Sequence, residues 1–334
     1  MVRPTMDDVA ARAGVSRALV SLVMRGSPRV SEQRRAAVLR AAEELGYSPH
    51  AMARSLASRT SHVLGVMVSD LHNAFFAEVV DGLDAVATEQ GFDLILNTGG
   101  RRPARERRAL RSLLSFRPAG LALLSPVVPS ADIARAAEQT SVVLVGRSSR
   151  LAGVDTVNDD GERGLALAVE HLVSLGHRRI AHLDGGGGSQ AAPRRRGYLA
   201  AMASHGLAPR VVASEYTDAA GARAVRGLLD GGDLPSAIVS CNDFNAVGVI
   251  SALEEAGFRV PADVSVVGYD NTSLAALRHV SLTTIDQPRN EFGRLAAEAL
   301  LQRVRGERAE PVRRLLRPSL VVRSTTAPPG AGRA

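Results

Sequence analysis

The sequence predicts an α/β protein in which a small all-helical N-terminal module precedes a larger body made of two similar halves. Residues 5–59 contain helix caps and helical spacing of apolar residues, but no run typical of a strand. From residue 62 onwards, apolar runs of strand length alternate with helical segments, which is the pattern of βαβ units with parallel sheets. The alternation starts again near residue 160, so we expect two parallel-sheet halves with a cleft between them.

The composition indicates a cytoplasmic protein. The chain has 334 residues, of which 45% are hydrophobic, and no apolar run is long enough to span a bilayer. The N-terminus lacks the basic and then apolar pattern of a signal peptide. Cys241 is the single cysteine, which excludes an intramolecular disulfide and a cysteine-rich zinc site.

The N-terminal module begins with signals for two short helices joined by a tight turn. Thr5 with Asp8 three residues later matches a capping box, with Asp in place of the usual Glu. Gly14 can adopt the left-handed conformation that ends a helix, and Ser16 can cap the next one. The inward positions of the second helix are Leu19, Val20 and Val23. This combination predicts a helix-turn-helix.

Charge distinguishes this module from an ordinary helical hairpin. Residues 1–60 contain ten arginines and five acidic residues, so they carry a net charge of +5 of the chain's total of +7. The rest of the chain is therefore nearly neutral. A basic module on a neutral body is typical of nucleic-acid binders.

The module continues with a third helix and a linker. Ser31 is expected to cap the third helix and Gly46 to end it. Residues 50–58 have helix-forming side chains, but the segment is too short to be a stable helix alone. It is either a partly ordered linker or a hinge that folds on DNA, with Leu56 as a wedge in the minor groove and Arg54 beside it.

The body is expected to contain seven strands and eight helices. In the first half, the strands are 63–68, 92–96, 121–124 and 142–145, and the helices are 75–90, 104–116 and about 133–138. In the second half, the strands are 180–183, 237–240 and 264–267, and the helices are 161–175, 194–205, 219–229 and 245–256. A last helix at 291–304 is expected to return to the first half. Residues 325–334 are rich in Pro, Gly and Ala and are expected to be disordered.

Polar residues at strand ends are the candidate ligand groups, because open parallel sheets bind ligands there. They are Asp70, Ser125, Arg147, Asn242, Asp243, Asp270 and Asn271. Such a residue can also cap the following helix, as we expect for Asp243. Phe75 stands beside the end of the first strand, whereas core packing is expected for Phe76. The four glycines 185–188 predict a mobile rim of the cleft rather than a phosphate-binding loop.

No catalytic constellation supports an enzyme. The chain has no lysine for a P-loop and no Gly-x-Ser-x-Gly elbow. No pair of histidines has metal-ligand spacing with a suitable carboxylate. We therefore expect no catalytic residues, no metal and no cofactor.

Several motifs resemble the lactose/galactose repressor (LacI/GalR) family along almost the whole chain. In the module these are Asp8-Val9-Ala10, Ala13-Gly14-Val15-Ser16, Glu44-Leu45-Gly46-Tyr47-Ser48-Pro49 and Ala53-Arg54-Ser55-Leu56. In the body they are Gly176-His177-Arg178-Arg179-Ile180-Ala181, Asn242-Asp243, Val267-Gly268-Tyr269-Asp270-Asn271 and Leu282-Thr283-Thr284-Ile285. The resemblance implies a repressor that is a homodimer or a tetramer, with a periplasmic-binding-protein-like sensor domain of two α/β subdomains. Residues 325–334 contain no apolar heptads, which favours the dimer.

The resemblance also assigns site residues. Arg17, Ala18 and Leu22 would face base edges of a pseudo-palindromic operator in double-stranded DNA, and Leu22 could contact a thymine methyl. Phosphate contacts would come from Thr5, Ser16, Ser21 and Arg25, and minor-groove contacts from Leu56 and Arg54. The implied effector contacts are Phe75, Arg147, Arg194, Tyr216, Asn242, Asp270 and Gln287. Asp270 and Arg194 grip hydroxyls in sugar-binding members, and Phe75 or Tyr216 would stack on the ring.

These inferences together define the expected domains. They are a headpiece at 1–48, a hinge at 49–60, an effector-binding and dimerisation domain at 61–324, and a tail at 325–334. Lobe one would contain 61–158 and 289–318, and lobe two 159–288 and 319–324. The main alternative is a soluble sugar-binding protein of the same two-lobed fold without a role on DNA. That class would need an export signal and no basic headpiece.

Overall fold

The structure, a computed structural model, describes residues 4–24, 27–47 and 61–330. The chain divides into two compact units, Met1–His62 and Val63–Ala334. Among the described residues, no helix is both long and apolar enough to cross a membrane.

The N-terminal unit contains three helices, α1 (Met6–Ala13), α2 (Arg17–Met24) and α3 (Glu32–Glu44). The predicted capping box is confirmed, because Thr5 and Asp8 each bond the other's backbone N–H. Gly14 is left-handed with φ 64°, and the Ser16 hydroxyl accepts from Leu19 N at 3.2 Å. Ser31 precedes α3 as expected, but its side chain makes no capping hydrogen bond. The three helices enclose a small core of Val9, Ala10, Val20, Val23, Val30, Val38, Ala41 and Ala42.

The first lobe of the body is built on a six-stranded parallel sheet in the order β11-β5-β4-β3-β1-β2. Its strands are β1 (Val63–Val68), β2 (Asp93–Thr98), β3 (Gly120–Leu124), β4 (Ser141–Val145), β5 (Val154–Asp159) and β11 (Arg313–Leu316). Its helices are α4 (Ala74–Glu89), α5 (Pro103–Ser115), α6 (Ser130–Ala137) and α12 (Arg289–Val304). The central strands are buried on both faces, which is why they read as continuous apolar runs.

The helices cover both faces of this sheet. Residues of α4 and α12 pack on one face, and residues of α5 and α6 pack on the other. Phe292 of α12 is buried in the core of the first lobe, so the predicted return of the last helix is confirmed. A Cβ added at Gly293 would lie 1.9 Å from Val79 O, which means that α12 can approach α4 this closely because it has no side chain there.

The second lobe repeats the architecture with the sheet order β12-β10-β9-β8-β6-β7. Its strands are β6 (Ile180–Asp184), β7 (Arg210–Ala213), β8 (Ala237–Val239), β9 (Ser265–Asp270), β10 (Thr283–Asp286) and β12 (Ser319–Val321). Its helices are α7 (Gly161–Ser174), α8 (Ala191–Ser204), α9 (Asp218–Asp230), α10 (Asp243–Glu255) and the short α11 (Ser273–Ala276). Only the edge strand β12 runs antiparallel to its neighbour. The chain passes between the two sheets three times, after β5, after β10 and after β11.

Strands β5, β7, β10, β11 and β12 were not among the predicted elements. The reason is clearest in β5, which lies wholly buried but contains Asp155, Asn158 and Asp159. Arg308 compensates Asp155 with two contacts of 2.9 Å, so a polar strand is buried at little cost. A strand whose buried polar side chains are paired in this way has no continuous apolar run, so its sequence does not look like that of a buried strand.

The expected disorder of the C-terminal tail is wrong for residues 325–330. The Thr325 hydroxyl donates to Val266 O at 2.7 Å and accepts from Thr283 N at 2.9 Å. Two residues later, Ala327 O lies 2.9 Å from the His177 ring. The segment is therefore held against the second lobe by backbone and hydroxyl groups, which a count of Pro, Gly and Ala does not reveal. Residues 331–334 lie outside the described residues.

Candidate functional site

A cavity lies between the two lobes. The space between its atoms amounts to about 520 Å³, part of it open to solvent. The first lobe contributes Ser69, Asn73, Phe75, Phe76, Arg101, Ser125, Val127 and Gly146. The second lobe contributes Gly188, Ser189, Gln190, Arg194, Tyr216, Asp270 and Gln287. Five of the seven predicted effector contacts therefore line one cavity: Phe75, Arg194, Tyr216, Asp270 and Gln287.

Arg194, in the first turn of α8, is the buried cation of this cavity. Its guanidinium donates to Cys241 O at 2.6 Å and lies 3.6 Å from the centroid of the Tyr269 ring. Its Nη2 is 3.8 Å from an Asp270 oxygen and 4.0 Å from an Asp159 oxygen. Its Nε has no hydrogen-bond partner among the described residues. One buried N–H of a charged group is thus left without a partner by the described residues.

Asp270 ends β9 with unusual backbone geometry. Its φ is 112°, and Asn271 follows with φ 53°, both in the region that L-residues rarely adopt. Gln287 Nε2 donates to Asp270 Oδ1 at 2.5 Å. Burial raises the pKa of the Asp270 carboxyl, although Arg194 acts in the opposite direction. Strain of this kind clusters at ligand sites, and Asp270 lines the cavity.

Aromatic side chains form the apolar part of the wall. Phe75 and Phe76 pack edge to face with ring centroids 5.3 Å apart, and both are almost fully buried. The expected core role of Phe76 is therefore combined with a place in the cavity wall. On the other side, Arg101 lies over the ring of Tyr216 with its Cζ 4.4 Å from the centroid. A sugar ring could not stack on that part of Tyr216 without displacing Arg101.

The glycine run at 185–188 is part of the wall. A Cβ at Gly185 or Gly188 would lie 2.2 or 2.3 Å from Tyr216 Cε2, so both glycines let the ring sit against the backbone. The next residue, Ser189, donates its hydroxyl to Gly146 O in the other lobe at 2.6 Å. We predicted a mobile rim here, and in the structure this loop packs against Tyr216 and touches the opposite lobe.

Two predicted effector residues do not line the cavity. The Arg147 guanidinium donates to Pro126 O at 3.1 Å and to Ser130 Oγ at 3.1 Å, because the loop before α6 captures it. Asn242 is fully buried and caps α10 by accepting from Asn245 N at 2.8 Å. In this structure neither side chain lines the cavity, and their roles as effector contacts stay predictions.

Asp243 was predicted to cap the helix that follows β8, and this is also wrong. Asn242 is the cap, and the buried Asp243 carboxylate instead accepts from Thr272 N at 2.7 Å and from the Thr284 hydroxyl at 2.5 Å. Burial raises its pKa. Asp243 thereby secures the segment directly after the strained Asp270.

Other cavity residues were missed by sequence reasoning. Arg101, Asn73 and Gln190 carry no motif, although Asn73 does precede a predicted helix and caps it by accepting from Phe75 N at 3.0 Å. Ser69 is held by Glu106, a fully buried carboxylate whose other oxygen accepts from Val127 N at 2.7 Å. Burial raises the pKa of Glu106. Glu106 therefore fixes two parts of the first-lobe wall at once.

The predicted DNA-contacting residues of the N-terminal unit differ in accessibility. Arg17 and Ala18 are exposed in the first turn of α2, and Arg17 Nε is 3.7 Å from Asp7 Oδ1. Leu22 packs partly against the core of the unit, so only part of its side chain can reach a base. The Thr5 and Ser16 hydroxyls are already engaged in caps, and Ser21 is partly buried. The predictions for Arg25, Arg54 and Leu56 fall outside the described residues.

Neither metal nor thiol chemistry has support in the part of the chain that the structure describes. No group of three His, Cys, Asp or Glu side chains there could hold a metal ion. Burial raises the pKa of the Cys241 thiol to about 12, so this thiol is protonated at neutral pH and is a poor nucleophile.

Comparison with known proteins identifies the family. Residues 5–50 match the model of bacterial regulatory proteins of the lacI family, and residues 169–326 match a periplasmic binding protein-like domain. The chain is 36% identical to the ribose operon repressor of Escherichia coli K12, over 96% of this chain and 99% of the relative. It is 34% identical to the transcriptional repressor PurR of Photobacterium profundum, over 96% of this chain and 98% of that relative.

Solved structures agree with these relatives. The lac repressor dimer bound to operator and the anti-inducer ONPF superposes with a TM-score of 0.85 at 31% identity, covering 98% of this chain and 100% of that one. A LacI family regulator from Enterococcus faecium with bound ribose gives a TM-score of 0.72 at 27% identity, covering 80% of this chain and 99% of that one. The identities and coverage together show that this chain belongs to the LacI family of bacterial transcriptional regulators.

Proposed function

We propose that the protein is a transcriptional repressor that binds a pseudo-palindromic operator as a homodimer and responds to a sugar held between its lobes. The observation that carries the proposal is the cavity itself. It presents a buried Arg194 and a strained Asp270 on one lobe and Phe75 on the other, in a chain whose helix α2 also exposes Arg17 and Ala18. A ligand that contacts both lobes can change the orientation of one lobe relative to the other and thereby alter DNA binding.

On the DNA side, we propose that Arg17 and Ala18 read base edges and that Leu22 makes an apolar contact. Thr5, Ser16, Ser21 and Arg25 would contact phosphates. Residues 1–48 would form the headpiece and 49–60 the hinge, in which Leu56 and Arg54 enter the minor groove. Two such headpieces on a dimer match a site with twofold symmetry, and the solved lac repressor dimer on its operator supports this arrangement.

A sugar suits the polar groups of the cavity. Asp270 offers carboxyl oxygens as acceptors, and Gln287, whose Nε2 lies 2.5 Å from Asp270 Oδ1, offers a side-chain amide. Arg194 adds a donor beside them. Vicinal hydroxyls, which donate and accept, can satisfy such a cluster, whereas an apolar ligand would leave it unpaired. The ribose operon repressor among the relatives and the ribose-bound regulator among the structures support the same class.

The switch would operate through the lobes. Ser189 already bonds Gly146 across the cleft, and Gln190 Nε2 donates to Asn158 Oδ1 at 3.2 Å. An effector that adds contacts to both lobes stabilises this closed arrangement. It alters operator binding only if it binds one arrangement more tightly than the other. We infer a cytoplasmic location and a non-enzymatic role, since the proposed target is the bacterial operator.

Two experiments test the proposal. Selection of sites from a pool of random palindromes, followed by a gel shift, should recover one symmetric sequence, and recovery of none would refute the DNA-binding role and favour a soluble sugar-binding protein. A thermal-shift screen of sugars, sugar phosphates and nucleobases should then raise the melting temperature with a sugar-type ligand. That ligand should also change operator affinity in the same gel shift. A nucleobase that acts alone would refute the sugar class.

A further inference from the structure

Arg101 and Tyr216 meet across the cavity from opposite lobes. Arg101 follows β2 of the first lobe, in a turn where its own φ is 57°, and Tyr216 lies between β7 and α9 of the second. The guanidinium lies over the Tyr216 ring with its Cζ 4.4 Å from the centroid. A guanidinium can contact an aromatic ring in this way and still bond an acceptor through its N–H groups, because it carries five donors.

In the described part of the chain, no opposite charge is paired with Arg101. No ion pair between described residues involves Arg101, although many of the other arginines have one. Arg194, the second cation of the cavity, differs because Asp159 and Asp270 lie 4.0 and 3.8 Å from it. The excess positive charge of the cavity is therefore located at Arg101.

The Tyr216 hydroxyl is a second unused group beside it. Its side chain is 9% exposed, and its oxygen has no hydrogen-bond partner among the described residues. Buried tyrosine hydroxyls usually find a partner, because leaving one unpaired is costly. Gly185 and Gly188 admit the ring so closely that it cannot easily turn elsewhere for one. The hydroxyl is thus held in place without a bond from the protein.

We propose that Arg101 and the Tyr216 hydroxyl bind an anionic oxygen group of the effector, so that the preferred effector is a sugar phosphate or a sugar acid. The inference rests on the proposed effector role of this cavity. Both groups donate hydrogen bonds, one of them carries an unpaired charge, and they come from different lobes. An anion between them would add a charge-assisted contact to the closed arrangement, while Asp270 and Arg194 hold the hydroxyls of the same ligand.

The test is calorimetric titration of the full-length protein with matched neutral and anionic probes. The pairs are ribose with ribose 5-phosphate, and glucose with glucose 6-phosphate and gluconate. At least one anionic member should bind about tenfold more tightly than its neutral partner, which is the size expected of one charge-assisted contact. The phosphate and gluconate arms show which anion is recognised. The advantage should shrink as ionic strength rises.

Three variants locate the effect. Arg101→Gln should bring the anionic and neutral members to within about twofold of each other, and Tyr216→Phe, which keeps the ring and removes one donor, should reduce the advantage about fivefold. Arg102→Gln removes the same charge from the neighbouring exposed residue and should leave the advantage unchanged. Melting curves without ligand check that each variant is folded.

The outcomes separate this inference from the proposed function. Equal or tighter binding of a neutral sugar, with an unchanged response of operator binding, overturns the anion preference and leaves the repressor proposal standing. An anion preference that survives in both Arg101→Gln and Tyr216→Phe overturns the assignment of these residues. Binding of none of the five probes overturns the inference together with the sugar part of the proposed function.

Discussion

The hydroxyl of Tyr269, on β9 of the second lobe, donates to the carboxylate of Asp159, at the end of β5 in the first lobe, at 2.5 Å. Both residues are almost fully buried, and the Tyr269 ring lies beneath the Arg194 guanidinium. Burial raises the pKa of Tyr269, so its hydroxyl stays protonated and able to donate. The pair joins the lobes directly under the effector cavity.

Loss of this bond should destabilise the body. Tyr269→Phe removes one hydrogen bond to a buried carboxylate, which contributes about 1.5–3 kcal/mol to the free energy of unfolding. Urea unfolding followed by circular dichroism measures the change. Asp159 also accepts from Gln190 Nε2 at 3.3 Å and lies 4.0 Å from Arg194 Nη2. A midpoint equal to that of the unchanged protein would show that these two residues alone satisfy Asp159.

Asp270→Asn should separate effector binding from DNA binding. The substitution keeps the shape and tolerates the positive φ of 112°, but it removes the acceptor strength of the carboxylate. We expect effector affinity to fall at least about tenfold, as for the loss of a hydrogen bond to a charged group, with unchanged operator affinity in the absence of effector. Arg194→Ala should likewise lower effector affinity and leave operator affinity in the absence of effector unchanged.

Asp70→Asn is the matched control for this prediction. Asp70 also follows a strand in the body, but its carboxylate bonds His72 N at 2.9 Å and does not line the cavity. Effector titration and gel shifts of both variants give the comparison. Equal loss of effector affinity in the two would contradict the role of Asp270.

Arg17→Ala should weaken binding to the selected operator and relax its sequence preference. The Arg17 side chain is 68% exposed, and an arginine contact to a base edge contributes about 1–3 kcal/mol of discrimination. Arg34→Ala, at an exposed position of α3, removes the same charge away from the recognition helix. Gel shifts on the selected and a scrambled site measure both. If the two variants lose selectivity equally, α2 is not the reading helix.

Leu56→Ala should weaken specific operator binding much more than it changes effector affinity. The expectation comes from the sequence, in which Leu56 takes the position of the minor-groove wedge in the family. Fluorescence titration of operator and of effector with the same variant gives the two affinities. An equal loss in both would refute the assignment of residues 49–60 as a DNA-binding hinge.

The contribution of His182 to the stability of the body should fall as the pH drops below 6.5. His182 is fully buried, donates through Nδ1 to Val239 O at 3.0 Å, and has no partner for Nε2 among the described residues. Burial lowers its pKa to about 4. Between pH 6.5 and about 4, the unfolded chain therefore binds this proton and the folded one does not, which favours unfolding.

Over 1.5 pH units below 6.5, this single group should cost about 2 kcal/mol of the free energy of unfolding. His182→Leu removes the titrating group, so the difference in unfolding free energy between pH 7 and pH 5 should be smaller in the variant by about that amount. Urea titrations at the two pH values measure it. An identical pH dependence in both proteins would show that His182 is protonated in the folded state.

Two helical glycines should respond in opposite directions to alanine. Gly293→Ala would place a methyl 1.9 Å from Val79 O at the contact of α12 with α4, so the helices must separate and the protein should lose about 3 kcal/mol or more. Gly227→Ala, in α9, meets nothing within 4 Å and should stabilise by about 0.4–1 kcal/mol. Thermal unfolding of both tests the packing of α12 against the first lobe. Equal and small shifts would contradict it.

The sequence by itself determined the features whose physics is local. The Thr5–Asp8 capping box and the Gly14 turn depend on hydrogen bonds within one helical turn, and β1 depends on burial of both sheet faces. These could be read from residue type and spacing. The places of Arg194 and Asp270 in one cavity came from family motifs, which carry information about tertiary contacts that spacing does not.

Only the tertiary structure decided which side chains meet in the cavity. Arg101 reaches Tyr216 from the other lobe, and Arg147, predicted there, is captured by carbonyls of its own lobe. β5 is a buried polar strand because Arg308, 153 residues away from Asp155, compensates it. In each case the outcome depends on a partner far along the chain, and hydrogen bonds and charges act over a few ångströms of space rather than over sequence.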